Sequence, residues 1–459
     1  MPSRLGYYPT PQAKYYATQR AGGLAPKFIQ IAGPWGGYVP DLDPRQVDYR
    51  SAVDMYGLVP DGEILTYDYG WRRYESSSTR LPLGVDGTNT AATGASATAP
   101  LPVVGLARWN RQDASPQNIA IVCGSGSSTG LLWSYIDGGT AWSAVLPDAS
   151  GTRITDTSEA LFDWTNYAYG YGVTSGTGLL IATNNVNDVL YYPSNAGLTT
   201  YSSFPYGAGS LKASSCEVWN ERLVVLNTLP AGGSRKPLEL RWTEPSWSTP
   251  TAAVWTNTGS GALILKELAG VGLRLLRLGD VLACYTSDGV AVCYRTGQAT
   301  SPIQLEYLSR TRGLLGRRSV VDLGGGVHFG LFTDGWFFLD RNGQWTEAGT
   351  ANADATVLRK WAHTFYESLD FGLADRIDMV YDAPRGFIYI AWPDRNARTL
   401  NPGGGSGRNN RVWVFDLHGN RVWPDKYDRG FSVNQTPLCW GRFQELGPAA
   451  ITWDTHSVT

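Results

Sequence analysis

The sequence has little net charge and no long hydrophobic run. Its 38 Lys and Arg residues nearly balance 40 Asp and Glu residues, which leaves a formal net charge of -2. A protein that grips nucleic acid by neutralising phosphates needs a marked cationic surplus, so this balance argues against that class. No window approaches the roughly 18 apolar residues of a membrane span, and the N-terminal MPSRLGYYPTPQAKYY lacks the apolar core of a signal peptide. We therefore expect a soluble protein made in a cytosol, without membrane insertion.

Cysteine and histidine are scarce. Five cysteines in 459 residues do not make a disulfide framework. If Asp288-Gly289 forms a two-residue turn, Cys284 and Cys293 face each other across a hairpin, where a bridge is geometrically possible. Two reduced thiols packed as small apolar groups are the favoured alternative, because cytosolic thiols stay reduced. The four histidines show neither HExxH spacing nor metal-ligand spacing to cysteines, so we predict no cofactor and no metal.

Sequence signatures of enzymes are missing or out of context. No GxxxxGK[ST] phosphate loop is present. Residues 126–130 match GxSxG around Ser128, but the following LLWSY predicts a strand where a nucleophile elbow opens a helix. SYIDGGTAW at 134–142 approaches the Asp box of sialidase-type propellers but has extra residues. Four carboxylates that could in principle form an acid/base pair are interpreted as turn caps or surface groups: Asp322, Asp370, Asp375 and Asp378. We expect the protein not to be an enzyme.

What the sequence has in abundance is aromatic residues and turn formers. It contains 18 Trp, 25 Tyr, 54 Gly and 26 Pro, and only 17% of its residues are charged. The stretch from Gly313 to Trp345 alternates predicted strands with tight turns, in which Asp334-Gly335 and Asn342-Gly343 supply positive-φ residues. Similar units, often ending near a Trp, recur with a loose period of roughly 45 to 60 residues. This pattern predicts an all-β fold, a β-propeller of about six to eight blades.

The predicted organisation is one propeller with additions. Residues 1–45 are interpreted as an extended N-terminal arm, anchored by aromatic residues such as Trp35 and Tyr38, that wraps either its own subunit or a partner. Residues 46–459 form the propeller, with loop insertions near 76–99 and 400–409. Near 354–371, Trp361 and other apolar residues recur at helical spacing and predict one short inserted helix, packed on its own propeller or docked on a neighbour.

The run SRTRGLLGRRS concentrates arginines. Guanidinium groups bind phosphate or carboxylate bidentately, so the run could contact DNA or an acidic neighbour; the alternative is that these arginines brace adjacent loops. The candidate contacts to a partner or to DNA are Arg310, Arg312, Arg317, Arg318, Trp35, Tyr38 and Trp361.

The segments VDYRSAVDMYGLVPDGEILTYDYGWRRY, VVGLARWN with LLWSY, CEVWNERLVVLN and GRRSVVDLGGGVHFGLFTDGWFFLD lie within residues 47–425. They resemble the β-propeller tail proteins of tailed bacteriophages, the tail nozzle (tubular) and packaged-DNA-stabilising tail-hub families. The resemblance implies a non-enzymatic structural protein of the virion tail, assembled in the host cytoplasm. It also implies a homo-oligomeric ring, a hexamer, below the portal and adaptor, which retains packaged DNA and forms part of the ejection channel.

Two other functions remain open. A glycan-binding or glycan-cleaving propeller for host adsorption would place exposed aromatic residues beside paired carboxylates at one rim. A monomeric scaffold propeller would elute as a single subunit of 50.0 kDa and form no ring.

Overall fold

A computed structural model gives the fold. It describes residues 160–168, 178–193, 200–298, 301–348, 355–395, 411–418 and 421–424, together with Ile154, Asn409 and ten strands before residue 150. The predicted loop at 76–99 lies outside the described residues, as do residues 400–408 and Trp35.

The described chain is built almost entirely of β-strands. The strands before residue 150 are β1 (Ala13–Ala17), β2 (Lys27–Ile31), β3 (Gly37–Tyr38), β4 (Ser51–Ala52), β5 (Leu58–Asp61), β6 (Ile64–Tyr67), β7 (Val103–Trp109), β8 (Gln117–Val122), β9 (Leu131–Ile136) and β10 (Ser143–Pro147). Those up to residue 270 are β11 (Asp163–Tyr167), β12 (Leu179–Thr183), β13 (Leu190–Tyr192), β14 (Thr200–Ser203), β15 (Pro205–Tyr206), β16 (Gly209–Lys212), β17 (Ser215–Trp219), β18 (Arg222–Pro230), β19 (Lys236–Trp242) and β20 (Gly261–Ile264). The remaining strands are β21 (Gly272–Leu278), β22 (Val281–Thr286), β23 (Val290–Arg295), β24 (Ile303–Ser309), β25 (Val320–Asp322), β26 (Val327–Phe332), β27 (Gly335–Asp340), β28 (Trp345–Glu347), β29 (Asp378–Asp382), β30 (Phe387–Trp392), β31 (Arg411–Asp416) and β32 (Arg421–Pro424). One α-helix is described, α1 (Ala355–Ser368), with two 3₁₀ helices at Ala252–Trp255 and Phe371–Arg376.

The strands form an all-β propeller whose blades are antiparallel meanders. β21 to β24, β25 to β28 and β29 to β32 are separate four-stranded sheets in sequence order. β15 to β20 form a six-stranded sheet, in which β18 also pairs with β17. β7 to β10 and β11 to β14 are two further meanders, joined through parallel pairing of β10 with β14 into one eight-stranded sheet. Three two-stranded sheets complete the described strands.

The predicted fold class is confirmed, but the predicted blade number is wrong. The described residues form five sheets of four or more strands, where six to eight blades were expected. The discrepancy arises because the sequence units around β7 to β10 and β11 to β14 look independent, whereas Leu146 and Pro147 pair with Thr200 and Tyr201 across their edges. A pairing between edge strands leaves no mark in the hydrophobic alternation of either strand.

Apolar side chains between the sheets form the core. Every residue of β22 is buried, as expected for a strand in the middle of a sheet that is covered on both faces. Between the last two sheets, Phe329 lies 5.2 Å from Phe415, ring centroid to ring centroid, and both are fully buried. Burial of each such side chain stabilises the fold by about 1.5–3 kcal/mol.

The helix lies within the segment for which the sequence predicts one. Trp361 and Phe365, one helical turn apart, are 1% and 0% exposed. The Trp361 ring packs edge-on against Trp413 of β31, 4.6 Å between centroids. Trp361 is therefore part of the propeller's own core, and its assignment as a partner contact is wrong. No helix within the described ranges is long and apolar enough to cross a membrane.

Two hairpins differ from their predicted register. Cys284 pairs with Ala291 rather than Cys293, because the Thr286 hydroxyl accepts hydrogen bonds from the backbone N–H of Asp288 and Gly289 and lengthens the turn to four residues. The two thiols are free, with 3.5 Å between their sulfur atoms. In the next sheet Phe332 pairs with Gly335, so the turn consists of Thr333-Asp334 instead of Asp334-Gly335.

The N-terminal segment differs from an extended arm. Residues 1–45 contain a hairpin of β1 and β2, and β3, which pairs in parallel with β4 and lies beside β32. The sequences AKYYA and KFIQI are rich in residues of high β-propensity, which accounts for the hairpin. Whether this segment contacts a partner stays a prediction.

Candidate functional site

The first strands of successive meanders lie next to one another. β11 contacts both β7 and β17, β17 contacts β21, β21 contacts β25, and β25 contacts β29. In a propeller the blades are arranged around a central channel, and these neighbouring strands surround it. Polar residues on them are therefore brought together from distant parts of the sequence.

A pocket of about 360 Å³ opens among these strands, and we call it the axial pocket. β11 contributes Trp164, Thr165 and Asn166 to its wall, and β17 contributes Glu217. The remaining wall residues are Arg274 and Leu276 of β21, Arg318 from the loop before β25, and Val380 of β29. The wall thus combines an indole ring and two aliphatic side chains with a carboxyl, two guanidinium groups, an amide and a hydroxyl.

Glu217 is the titratable acid of the pocket. Its Oε1 accepts hydrogen bonds from the Thr165 hydroxyl (3.1 Å) and the Val218 N–H (3.0 Å), and lies 3.6 Å from Arg277 Nε. Burial raises the pKa of the Glu217 carboxyl from 4.5 to about 7; the Arg277 guanidinium opposes this rise and the Asp163 carboxylate adds to it. Among the described residues Oε2 has no hydrogen-bond partner. Since Oε1 is held by donors, the proton of the neutral form belongs on Oε2.

Asp163 lies behind the pocket wall and holds Arg274. Arg274 Nη2 is 3.2 Å from Asp163 Oδ1. The other carboxylate oxygen, Oδ2, accepts from the Ser215 hydroxyl and from the Cys216 N–H. Ser215 Oγ in turn accepts from the Leu275 N–H at 2.8 Å, which ties β17 to β21. These contacts fix the first strands of three meanders around one carboxylate.

Arg318 reaches the pocket from a buried turn at Gly316 to Ser319. The Ser319 N–H and hydroxyl donate to the Gly316 carbonyl at 3.1 and 2.9 Å, which closes the turn with the two arginines at its centre. Arg318 Nε is 2.8 Å from Asp378 Oδ1, and Asp378 is fully buried. Arg317 donates to the carbonyl oxygen of Asn184, 2.7 Å away.

Of the four predicted arginines, the structure brings only two to this region. Arg318 lines the pocket and Arg317 is buried beside it, whereas Arg310 pairs with Glu267 on the surface. Arg312 lies over the Phe337 ring, 3.6 Å from its centroid, and pairs with Asp334. Arg310 and Arg312 thus link neighbouring loops, the role that the sequence left open as an alternative. Nothing is described of the Tyr38 side chain or of Trp35.

Glu217, Arg274 and Asp163 are not among the residues predicted from the sequence. Each is a charged residue in the first, mostly buried strand of a predicted β unit, and that is the signal that could have identified them. Asp378 was considered, but as a cap or surface group. It is instead fully buried and pairs with Arg318.

The described residues contain no group of three or more His, Cys, Asp or Glu side chains placed to hold a metal ion. The acidic side chains around the pocket are each placed beside an arginine, as Asp163 is beside Arg274 and Asp378 beside Arg318. Such pairs compete directly with a cation for the carboxylate oxygens. The site's chemistry is therefore that of guanidinium and carboxyl groups.

Comparisons with known proteins identify no family for this chain. No protein-family model matches the chain, and no curated protein matches it. Similar solved structures include α-L-arabinofuranosidase Arb93A of Fusarium graminearum, at 10% identity and a TM-score of 0.34 over 64% of this chain and 88% of that one. They also include an α-L-arabinanase of Penicillium chrysogenum, at 11% identity and 0.33 over 69% and 94%. PorZ of the type-IX secretion system of Porphyromonas gingivalis has 12% identity and 0.35 over 69% and 51%.

At these identities and TM-scores the likeness assigns this chain neither a ligand nor an activity. It contradicts only the prediction that the protein is not an enzyme, because two of these three similar structures are glycoside-cleaving enzymes by name. None of the three names indicates a phage tail protein.

Proposed function

We propose that this protein is a β-propeller that recognises glycans through its axial pocket. The observation that carries the proposal is the wall of that pocket, where the half-buried indole of Trp164 lies among directional polar groups. Ligand pockets of this kind have volumes of about 300–1,000 Å³ and few but well-placed polar groups, and this one falls at the lower end of that range. It suits one or two sugar units and is too small for duplex nucleic acid.

The wall matches the two kinds of surface that a sugar ring presents. Apolar C–H groups on the ring face pack on an aromatic plane, which Trp164 supplies. Hydroxyl groups on the ring edge need both donors and acceptors, which Asn166, Glu217 and Arg274 supply. Because the polar groups are held by the strand contacts described above, little side-chain freedom is lost on binding.

A glycan array followed by calorimetry tests the proposal. We expect binding to a restricted set of glycans, and we expect Trp164→Ala to weaken it by about tenfold or more, equivalent to roughly 1.4 kcal/mol. Trp345→Ala is the matched control, since Trp345 is a half-buried indole outside the pocket. Absence of binding on the array, or equal loss in both variants, would contradict the proposal.

Cleavage of the bound glycan is a second candidate function, and Glu217 favours it. Glycoside hydrolysis needs a carboxylic acid that is still protonated near neutral pH and can give its proton to the leaving oxygen. Glu217 has a pKa of about 7, and its Oε2 has no partner within the described chain. The second carboxyl group beside it is that of Asp163, which pairs with Arg274 and contributes to the raised pKa of Glu217.

Release of reducing ends from a glycan identified on the array tests this second candidate. We expect release to fall as the pH rises through about 7, because the acid form of Glu217 is lost there. Glu217→Gln should retain binding and abolish release. If the protein binds a glycan but releases nothing between about pH 5 and 8, recognition without cleavage is the function.

Assembly into a phage tail ring stays a separate prediction. Light scattering of the purified protein distinguishes a 50.0 kDa monomer from a ring. Rings seen by electron microscopy, or attachment to a portal complex, would support the tail assignment and would place the glycan pocket in host adsorption. A strictly monomeric protein under all conditions would leave the glycan proposal standing alone.

A further inference from the structure

The charge around the axial pocket is opposite in sign to that of the whole chain. Four guanidinium groups lie there, from Arg274, Arg277, Arg317 and Arg318, against the three carboxyls of Asp163, Glu217 and Asp378. Counted over these seven described residues, the local formal charge is positive even with Glu217 ionised, whereas the chain carries -2. A positive, partly enclosed site attracts anions, because low-dielectric walls focus the field in a cleft.

The charged groups differ in whether they line the pocket and can contact a ligand. The side chains of Asp163 and Asp378 are 6% and 0% exposed, and neither belongs to the pocket wall. The wall itself presents Arg274, Arg318 and Glu217. A ligand entering the pocket thus meets two guanidinium groups and one titratable acid, with the neutralising carboxylates behind them.

Arg274 has donor capacity that the protein does not use. Its Nη2 is paired with Asp163, and its Nη1 makes only a long contact of 3.5 Å with the Arg317 carbonyl oxygen. Its Nε is buried and has no hydrogen-bond acceptor among the described residues. A buried donor without an acceptor is unfavourable by about 1–3 kcal/mol. The ligand meets the exposed part of this guanidinium, whose side chain is 16% exposed, and there an anionic acceptor would be favoured over a neutral hydroxyl.

We infer that the glycan recognised by the axial pocket is acidic, carrying a carboxylate that Arg274 and Arg318 bind while Trp164 packs on the sugar ring. The planar, multidonor guanidinium matches a carboxylate better than a single hydroxyl. This inference rests on the proposed function and names its ligand class. A sulfate or phosphate group is also an anion that guanidinium groups bind, so the test must distinguish a sugar carboxylate from these other anions.

Binding of an anion should also be linked to protonation of Glu217. The charged and titratable groups that face Glu217 are Asp163 from β11, Cys216 on its own strand, Arg274 and Arg277 from β21, and Arg318 from the loop before β25. A ligand carboxylate adds a second negative charge beside an acid that titrates near neutrality. The complex should therefore take up a proton, and affinity should decrease as pH rises through that range.

Calorimetry with two matched probes tests the inference: a galacturonic acid oligosaccharide and the same oligosaccharide with its carboxyls reduced to alcohols. We expect the acidic probe to bind at least about tenfold more tightly. Arg274→Gln should weaken the acidic probe much more than the neutral one and so remove most of that difference, Arg274→Lys should keep part of it, and the surface control Arg310→Gln should leave the binding of both probes unchanged. Tryptophan fluorescence and circular dichroism establish that each variant is folded.

The outcomes separate the inference from the function on which it rests. Equal binding of both probes overturns the acidic-ligand inference and leaves glycan recognition intact. If neither probe binds and no glycan on the array binds, the proposed function itself is contradicted. If inorganic phosphate, sulfate or a DNA oligonucleotide competes with the acidic sugar and binds as tightly, the pocket is an anion site without sugar specificity. That result would also overturn the inference.

Discussion

Replacement of Glu217 by Gln should make the protein more stable at alkaline pH. Gln has nearly the size of Glu, and its side-chain oxygen can still accept from Thr165 and from the Val218 N–H, as Oε1 does in the parent. What the substitution removes is the ionisable carboxyl. Glutamine thereby resembles the protonated form of Glu217, which the fold prefers because the carboxyl is buried.

The size and sign of the effect follow from the pKa of this one group. Its pKa in the folded protein is about 7, against 4.5 when exposed, so the folded state holds the proton more tightly between these values. The contribution of Glu217 to the free energy of unfolding therefore falls as pH rises from 4.5 to 7, by up to about 3 kcal/mol at about 1.36 kcal/mol per pKa unit. The side chain is 17% exposed, so solvent contact leaves most of this effect in place.

Urea denaturation followed by tryptophan fluorescence measures the difference at several pH values. Near pH 8 we expect Glu217→Gln to raise the free energy of unfolding by about 2–3 kcal/mol over the parent, and below pH 4.5 we expect the two to agree. Glu267→Gln is the control, because Glu267 is half exposed and its pair with Arg310 is a surface ion pair worth about 0–1 kcal/mol. An unchanged or lowered stability of the Glu217 variant near pH 8 would refute the reasoning that this carboxyl is buried at the axis.

Three further substitutions test the fold around the pocket. His328→Gln should remove this residue's contribution to the pH dependence of stability, about 3 kcal/mol. Burial lowers the pKa of His328 from 6.5 to about 4, so its contribution to stability is lost as pH falls through that window; urea titrations of variant and parent at each pH measure the difference. Gly316→Ala should destabilise the protein by about 1–3 kcal/mol and weaken ligand binding, because a Cβ there clashes with a backbone carbonyl, whereas Gly233→Ala, with its nearest neighbour at 3.4 Å, should be tolerated. Asp378→Asn should cost about 3 kcal/mol by removing the carboxylate beside Arg318, and a double-mutant cycle of the two residues should show coupling of at least about 1 kcal/mol.

The hairpins of the propeller are predictable from sequence, because their information is local. β26 and β27 alternate apolar and aromatic residues between turn formers, and the structure pairs them as a hairpin. The helix is predictable for the same reason, since Trp361 and Phe365 recur at one-turn spacing and pack on one face. Strand registers are harder to predict from sequence. The Asp-Gly pair alone predicts a two-residue turn, whereas the hydrogen bonds to the Thr286 hydroxyl make the turn longer.

The axial pocket could not be predicted, because its residues are brought together by the closure of the sheets around a centre. Trp164 and Val380 are more than two hundred positions apart and contribute to one wall. Their strands do not pair, so no cross-strand pattern connects them. What the sequence does contain is a charged residue within several of these strands, buried at Asp163 and Asp378 and partly buried at Arg274. In a fold built of repeated units, such charges in equivalent strands indicate that these strands surround a common centre.

The opposite pKa shifts of Glu217 and His328 explain why the site can hold an acid near neutrality without making the protein fragile. His328 Nε2 is 2.6 Å from the carbonyl oxygen of Arg277, whose side chain lies beside Glu217. As pH falls from 6.5 to 4.5, protonation of Glu217 increases the stability of the fold. Over the same range His328 binds a proton more readily in the unfolded chain than in the fold, and this decreases the stability by a similar amount. The parent should thus have a nearly flat stability profile across this range. The two single variants should show slopes of opposite sign, and the double variant should be flat again, since both titrations that tilt the profile are then absent.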